Sequence, residues 1–399
     1  MRDRIEHSLR RVQQWVEDRG YRGYDPGDGL TSFLRPLTFG NLFAERLLQQ
    51  AIWKSPINVR PLVGVKPLDS TKGRGFMAWG YALRHESTGD DTFRQKAAHC
   101  LEWLDRARER DQAGHCWGNH FDFSTRSGCM RAHTPTIVWS GLIGQGYLAA
   151  YERFREPRHL EICDSICRWI LTLPREKTPT GNCLSYTGVF QNSVHNSNLL
   201  GAALLAKTGR LTGNTHYLEV ARDAVRYSCT RLRPDGSWWY GEDPKYHWID
   251  NFHTAYNLDS LRRYIDATAD RSFDTHLARG YEYFKAIFFE PSGRPRYYHD
   301  RTYPVDIQCA AQAIDTFAYF SDRDPAALSI AMKVADWTIA NMQDRTGYFY
   351  YREYPMMKAR TPYFHWGQAT MFKALAHLLV KLGPPQPFRR EPAHAGVAS

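Results

Sequence analysis

Residues 215–264 read THYLEVARDAVRYSCTRLRPDGSWWYGEDPKYHWIDNFHTAYNLDSLRRY, and this stretch carries the plan of the chain. Its first part, 215–232, has apolar residues at helical spacing and one charged face, as expected of a helix with one side in water. Gly236 then opens a turn, and aromatic and polar residues follow without helical periodicity. From 249 the sequence turns small, aromatic and apolar on most sides after a polar start, the signature of a buried helix. The unit is outer helix, glycine turn, aromatic extended segment, inner helix.

Working outward, the same unit recurs at a spacing of roughly 55–60 residues. Inner-helix segments begin near Thr71, His133, Asn192, Asp250, Asp306 and Tyr363. Outer helices are expected over 4–19, 91–108, 158–173, 215–232, 273–289 and 324–342, with Asp91 and Asp324 as N-caps. In the third, Cys163, Ile166, Cys167, Ile170 and Leu173 share one face, with Glu161, Asp164 and Arg168 outside. The glycine segments read GYRGYDPGDG (20–29), GHCWGNHFDF (114–123), GNCLSY (181–186), GSWWYGED (236–243), GRPRYYHD (293–300) and GYFYYREY (347–354). The helix at the front pairs with the last inner helix, so six units close into an all-α (α/α)6 toroid. It is expected to form one domain over 1–383, with a disordered tail over 384–399.

Composition limits the function classes. The chain has 399 residues, 43% of them hydrophobic, enough for a large core. No apolar run reaches the ~18 residues of a membrane span, and the mixed charge of the first residues does not read as a signal peptide. Eight scattered cysteines without a CxxC read as reduced core residues of a cytoplasmic protein. The net charge of +10 admits nucleic acid, an anionic membrane or an acidic substrate. Residues 35–75 hold seven cations against Glu45 and Asp69, and 352–381 hold five against Glu353. A closed toroid places these two stretches side by side at the seam. The expectation is a cleft with one basic wall, near Arg60, Lys72, Arg74 and Arg352, and one acidic wall from 235–306.

The aromatic loops enter at one rim, at the N-terminal ends of the inner helices, where the dipoles favour anions. Aromatic rings suit the C–H faces of sugars, and planar polar groups suit their hydroxyls. The densest stretch supplies Tyr240, Glu242, Asp250 and His253. A spacing of three puts Asp250 and His253 on one helix face, where the carboxylate orients the imidazole or pairs with it as acid and base; alternatively, Asp250 is an N-cap and His253 a core histidine. His195 and Asn196 repeat the pattern one unit earlier, with the same alternative of polar caps. Arg60, Arg352 and Arg360 are placed to neutralise a substrate carboxylate while His or Tyr moves a proton. Trp117, His120, Trp239, Tyr298, Asp306, Tyr351, Trp366 and Gln368 are the remaining expected substrate contacts.

No HExxH, paired Cys/His spacing, acidic calcium loop, Walker sequence or dinucleotide fingerprint occurs, so neither metal nor cofactor is expected. No basic helix face or nucleic-acid-binding module is visible, and nucleic acid is not an expected partner.

The stretches SPINVRPLVGVKP, SVHNSNLLGAALLA, DGSWWYGED with WIDNFHTAYNLDSL, and HWGQATMFKALAHLL resemble toroid proteins of bacterial exopolysaccharide and O-antigen biosynthesis, over roughly 20–380. More distantly the repeat is similar to six-hairpin glycosidases, toroidal polysaccharide lyases and the C-terminal domain of glucuronyl C5-epimerases, the last through WGQA at 366–369. The resemblance implies a polysaccharide context and carries no complete catalytic set.

Three readings follow. The first is an enzyme on an acidic polysaccharide or lipid-linked oligosaccharide that abstracts the C5 proton of a hexuronate, as a lyase or epimerase. The second is a glycoside hydrolase with Glu242 or Asp243 opposite Asp300 or Asp306, at ~5–5.5 Å if retaining or ~6.5–9.5 Å if inverting. The third is a non-catalytic glycan-binding or assembly protein.

Overall fold

The structure, a computed structural model, describes residues 1–110, 112–125 and 128–384. Among these residues thirteen α-helices run in chain order as α1 (Arg2–Glu17), α2 (Leu42–Lys54), α3 (Thr71–Thr88), α4 (Asp91–Arg106), α5 (Ile137–Phe154), α6 (Pro157–Leu171) and α7 (His195–Thr212), followed by α8 (Thr215–Cys229), α9 (Asn251–Thr268), α10 (Asp274–Ile287), α11 (Ile307–Phe320), α12 (Ala327–Met342) and α13 (Thr370–Leu382). α3, α5, α7, α9, α11 and α13 pack in that order, and α13 returns to α3, so the inner ring closes. Each inner helix carries an outer partner, with α1 against α13 across the seam. This is the (α/α)6 toroid that the repeat predicts. The inner helices are buried on nearly all sides, and small residues let their backbones approach. A Cβ on Gly146 of α5 would sit 2.9 Å from the carbonyl oxygen of Gly75 in α3.

The recurring glycines have a packing reason. The glycine after five of the six outer helices presses against the backbone of the next outer helix, while Gly20, after α1, has open space around it. A Cβ on Gly181, Gly236 or Gly293 would lie 2.4–2.6 Å from the carbonyl oxygen of Asp223, Arg279 or Lys333. Gly347 makes the same approach to Arg11 of α1 and so closes the outer ring. A matching chain of backbone bridges runs round the rim. Ahead of α5, α7, α9 and α13 a residue pairs with the aromatic segment of the next unit: Thr136 with Thr187, Val194 with Gly241, Asp250 with Tyr298, and Tyr363 with Tyr24. Asp306 pairs with Arg352 in the three-stranded sheet Val305–Asp306, Arg352–Glu353, Lys358–Ala359.

Several expectations need correction. The cap of α4 is Asp90, whose side chain accepts from Thr92 N–H, and Asp91 is the first helical residue. Asp324 accepts from Ala326 N–H and so caps the turn before α12 rather than the helix itself. α2 was not expected. It has no place in the six-fold repeat and lies in an insertion between α1 and α3. All eight cysteines are free, and seven are buried. From residue 385 on, the expected tail lies outside the described residues. Among those described, no helix is long and apolar enough to cross a membrane.

Candidate active site

The aromatic segments and the N-terminal ends of the inner helices enclose a cleft of about 510 Å³. A smaller recess of about 260 Å³, reaching Phe190 and Tyr246, shares Tyr186, Tyr240, Trp248 and His253 with it, so the cleft continues as an aromatic groove. A further cavity of about 500 Å³ opens among the C-terminal ends of the inner helices, near Trp79, Arg263 and His377. None of the expected site residues lines that one.

Six of the expected residues meet in the cleft: Tyr240, His253, Asn196, Tyr298, Arg352 and Trp366. Asp250 and Asp306 stand directly behind them. Asp250 caps α9, accepting from His253 N–H at Oδ1 (3.0 Å), from His253 Nδ1 at Oδ2 (2.7 Å) and from Trp248 Nε1 (2.9 Å). The cap and the imidazole-orienting roles, set out as alternatives above, are both filled by one carboxylate. A carboxylate at Nδ1 selects the tautomer with Nε2 unprotonated, as a general base requires. Tyr240 stacks on Trp248 at 4.5 Å and lies 4.5 Å from the His253 ring. Burial raises its phenol well above its ordinary range, so it stays protonated.

Asp306 caps α11, accepts from Trp366 Nε1 (2.8 Å) and pairs with Arg352 Nε at 2.5 Å. Burial opposes the charge on Arg352, but Tyr351, Asp306 and Tyr297 outweigh it and hold the guanidinium protonated. Asn196 is buried, and its Oδ1 has no hydrogen-bond partner within the protein, which leaves that acceptor for a ligand.

Two groups absent from the expected catalytic set also face the cleft. Lys72 in the first turn of α3 is 8% exposed, lies 4.1 Å from the Trp139 ring and has its pKa pushed down to about 8 by burial. His365 and Trp366 sit on a π-helical turn, Phe364–Ala369, where Gln368 N–H reaches Tyr363 O five residues back. π-Turns widen a helix and cluster at functional sites. His365 Nδ1 lies 2.6 Å from Asp25 Oδ1, off the line of a hydrogen bond, and its backbone N–H donates to the same oxygen at 3.0 Å. Burial lowers the pKa of His365 to about 4, against the pull of Asp25, so the ring is neutral at pH 7.

The other expected residues serve the scaffold. His195 is buried between Ser228 Oγ (3.1 Å) and Glu242 Oε1 (2.8 Å), turned away from the cleft toward α8. Glu242 is held by His195 and Arg231, and neither it nor Asp243 lines the cleft. Asp300 is paired with Arg301 at the surface, so the expected hydrolase pair is not assembled. Arg60 is fully buried against Asp28 and the Tyr363 hydroxyl. Trp117 donates to Leu104 O in the core, and Gln368 bonds the backbone of Phe349 and Tyr363. Trp239 stacks on His247, Tyr351 accepts from Trp53 Nε1, and His120 packs on Phe121 outside the cleft lining. Arg360 lies in a surface groove beside Met357, and Arg74 pairs with Asp69. The basic wall keeps Lys72 and Arg352 of the four expected residues, and Arg46 and Lys54 stand in it where Arg60 and Arg74 were expected. The acidic wall is not there. Among the described residues no Asp or Glu lines the cleft. The acids Asp25, Asp250 and Asp306 lie one layer back, each holding a cleft-facing His or Arg.

No protein-family model matches the chain, and no curated protein sequence matches it. Solved structures do. A possible member of the GH105 family from Salmonella enterica serovar Paratyphi A superposes with a TM-score of 0.63 at 13% identity, covering 95% of this chain and 94% of that one. The fold is shared with sugar-processing toroid enzymes. A cellobiose 2-epimerase from Bacillus thermoamylovorans matches with a TM-score of 0.61 at 11% identity (80% of this chain, 90% of that one). A GH76 α-mannanase from Bacteroides thetaiotaomicron matches at 0.61 and 13% (78% and 86%).

Proposed function

We propose that the chain is a carbohydrate-active enzyme that abstracts the C5 proton of a hexuronate in an acidic polysaccharide or lipid-linked oligosaccharide, with epimerisation as the outcome. The carrying observation is the placement of charge. The cleft wall offers four cations and two carboxylate-backed imidazoles, and every nearby carboxylate is withdrawn behind them. Such a lining attracts an anionic sugar. The fold of solved sugar epimerases and glycosidases supports the substrate class.

The ring order adds a geometric argument. His253 is carried by α9 and Lys72 by α3, three positions apart in a ring of six, hence on opposite sides of the axis. Arg352 pairs with the uronate carboxylate and stabilises the enolate-like charge that develops there as C5–H breaks. The unprotonated Nε2 of His253 accepts that proton. Lys72, an ammonium with a pKa near 8, delivers a proton to the other face of C5 and inverts it. If Tyr240 instead protonated the departing C4 oxygen, the same carbanion would complete an elimination.

Incubation with uronate-containing polymers in deuterated water separates the outcomes. Deuterium at C5 with no unsaturated-uronate absorbance is the expected result. Absorbance of the unsaturated product would convert the reading to a lyase. New reducing ends with neither deuterium at C5 nor unsaturated-uronate absorbance would overturn proton abstraction altogether.

A further inference from the structure

The insertion between α1 and α3 has its polarity inside out. In α2 the buried residues are Glu45, Gln49 and Ile52, the first two of them polar. Glu45 pairs with Arg35 at 2.9 Å, and Gln49, 1% exposed, exchanges two hydrogen bonds with the backbone of Ser124. The outward residues are apolar: Phe43 is 77% exposed, and Leu42 and Leu47 are exposed beside it. Phe39, 92% exposed, precedes the helix, and Phe33, Leu37, Ile57 and Leu62 extend the face on flanking segments. Those segments are tied together, since Ser32 Oγ donates to Val63 O at 2.7 Å and the Arg60 guanidinium donates to Ile52 O at 3.4 Å. Of thirteen large apolar side chains exposed among the described residues, eight fall in residues 33–62. A concentration of this kind marks an interaction surface rather than scattered surface apolar residues.

Its charge selects the partner. Arg46, Lys54 and Lys66 are exposed, with no carboxylate in salt-bridge reach among the described residues, and the only acid in the sequence between residues 29 and 68 is the buried Glu45. We infer that this outcrop docks on the surface of an anionic lipid bilayer, its aromatic and aliphatic side chains entering the headgroup boundary and its cations meeting lipid phosphates. Apolar side chains flanked by Lys and Arg on a surface helix are the chemistry of interfacial binding. A second copy fits less well, because a two-fold contact through this face would set the three cations against themselves with no carboxylate to answer them.

The placement has a consequence for the cleft. Arg46, Gln50, Trp53 and Lys54 of α2 also form part of its wall, so docking brings the cleft mouth to the membrane, where a lipid-linked glycan would present its sugars. That last step rests on the proposed function; the docking does not.

The test uses the whole chain without any glycan, so its failure is separate from failure of the proposed reaction. Co-sedimentation is measured with vesicles of phosphatidylcholine alone and of equal parts phosphatidylcholine and phosphatidylglycerol. The expected result is binding to the mixed vesicles, at least about ten-fold tighter than to phosphatidylcholine and weakened by salt. It should be lost in Phe39→Ser/Phe43→Ser and reduced in Lys66→Glu, with circular dichroism melts showing that both variants fold. If the aromatic double variant does not fold, Leu37→Ser/Leu62→Ser removes part of the same face. Failure of the wild-type chain to sediment with mixed vesicles overturns the inference. So does a lipid-free dimer by light scattering that Phe39→Ser/Phe43→Ser converts to a monomer, because the face would then belong to a second copy.

Discussion

Oδ2 of Asp250 lies 2.7 Å from Nδ1 of His253, while Oδ1 of the same carboxylate takes the backbone N–H of the same histidine at 3.0 Å. The cap of α9 is thus also the clamp on the imidazole that faces the cleft. The two roles separate by mutation. Asparagine still caps a helix, so Asp250→Asn should change stability by no more than about 1 kcal/mol. An amide does not select the ring tautomer as a carboxylate does, so turnover should fall by about 10²–10⁴-fold with little change in KM. Urea unfolding and steady-state kinetics on the same preparation check both halves. His253→Gln should lose comparable activity, and the double variant should lose little more than either single one.

The ring was legible because two signals coincide in five of the six units, a 3.6-residue apolar period and a glycine where two backbones touch. The Asp250–His253 pair was legible because a spacing of three on a helix leaves little geometric freedom. His195 shows the limit of that reasoning. It has a similar local sequence, yet it opens α7 at a different rotation about the axis and turns to Ser228 on α8; spacing does not report rotation. Lys72 was legible as part of a basic wall but not as a proton donor, because a lysine in a first helical turn reads as solvated, and only ring closure puts its ammonium over the Trp139 ring. α2 was hidden because Glu45 and Gln49 face inward while Leu42, Phe43 and Leu47 face out, a mixture that blurs the pattern by which surface helices are recognised.

Gly347 closes the outer ring. Its φ is +111°, and a Cβ there would stand 2.6 Å from the carbonyl oxygen of Arg11 in α1. Gly347→Ala should therefore destabilise the chain by about 2–3 kcal/mol, combining backbone strain with displacement of α1. Gly89→Ala is the control. It also has positive φ (+71°) but open space around the new methyl, and its cost should be only about 1 kcal/mol. Chemical denaturation gives the difference. Faster amide exchange in α1 and α13 of the first variant alone would locate it at the seam.

Burial of the His365 ring, only partly offset by Asp25, makes stability depend on acid. The histidine titrates near 4 in the folded chain, chiefly because of burial, and near 6.5 when unfolded. Between those values the unfolded chain binds a proton that the folded chain does not, so stability falls as pH drops from about 6.5 to about 4, by about 3 kcal/mol. In His365→Gln that slope should be absent. Unfolding midpoints measured at several pH values across this window should converge for the two proteins at the acid end.

Lys72 carries the same sign in a higher pH window, and the clearest conflict between stability and function. Its folded pKa of about 8 lies below the ordinary lysine value of 10.5, so at neutral pH the folded chain holds an ammonium that burial disfavours. The cost is about 3 kcal/mol and is relieved as pH rises from about 8 to about 10.5. Lys72→Met keeps the volume and removes the charge. It should raise the neutral-pH unfolding free energy by up to about 3 kcal/mol, with the gain shrinking toward pH 10. The same substitution removes the proposed proton donor opposite His253, so inversion at C5 should fall by about 10²-fold or more. Deuterium exchange at C5 without inversion should persist, because His253 still takes and returns a proton on its own face. A variant that is more stable, still exchanges C5–H and no longer inverts would assign Lys72 to the second face. A variant that inverts normally would remove it from the reaction.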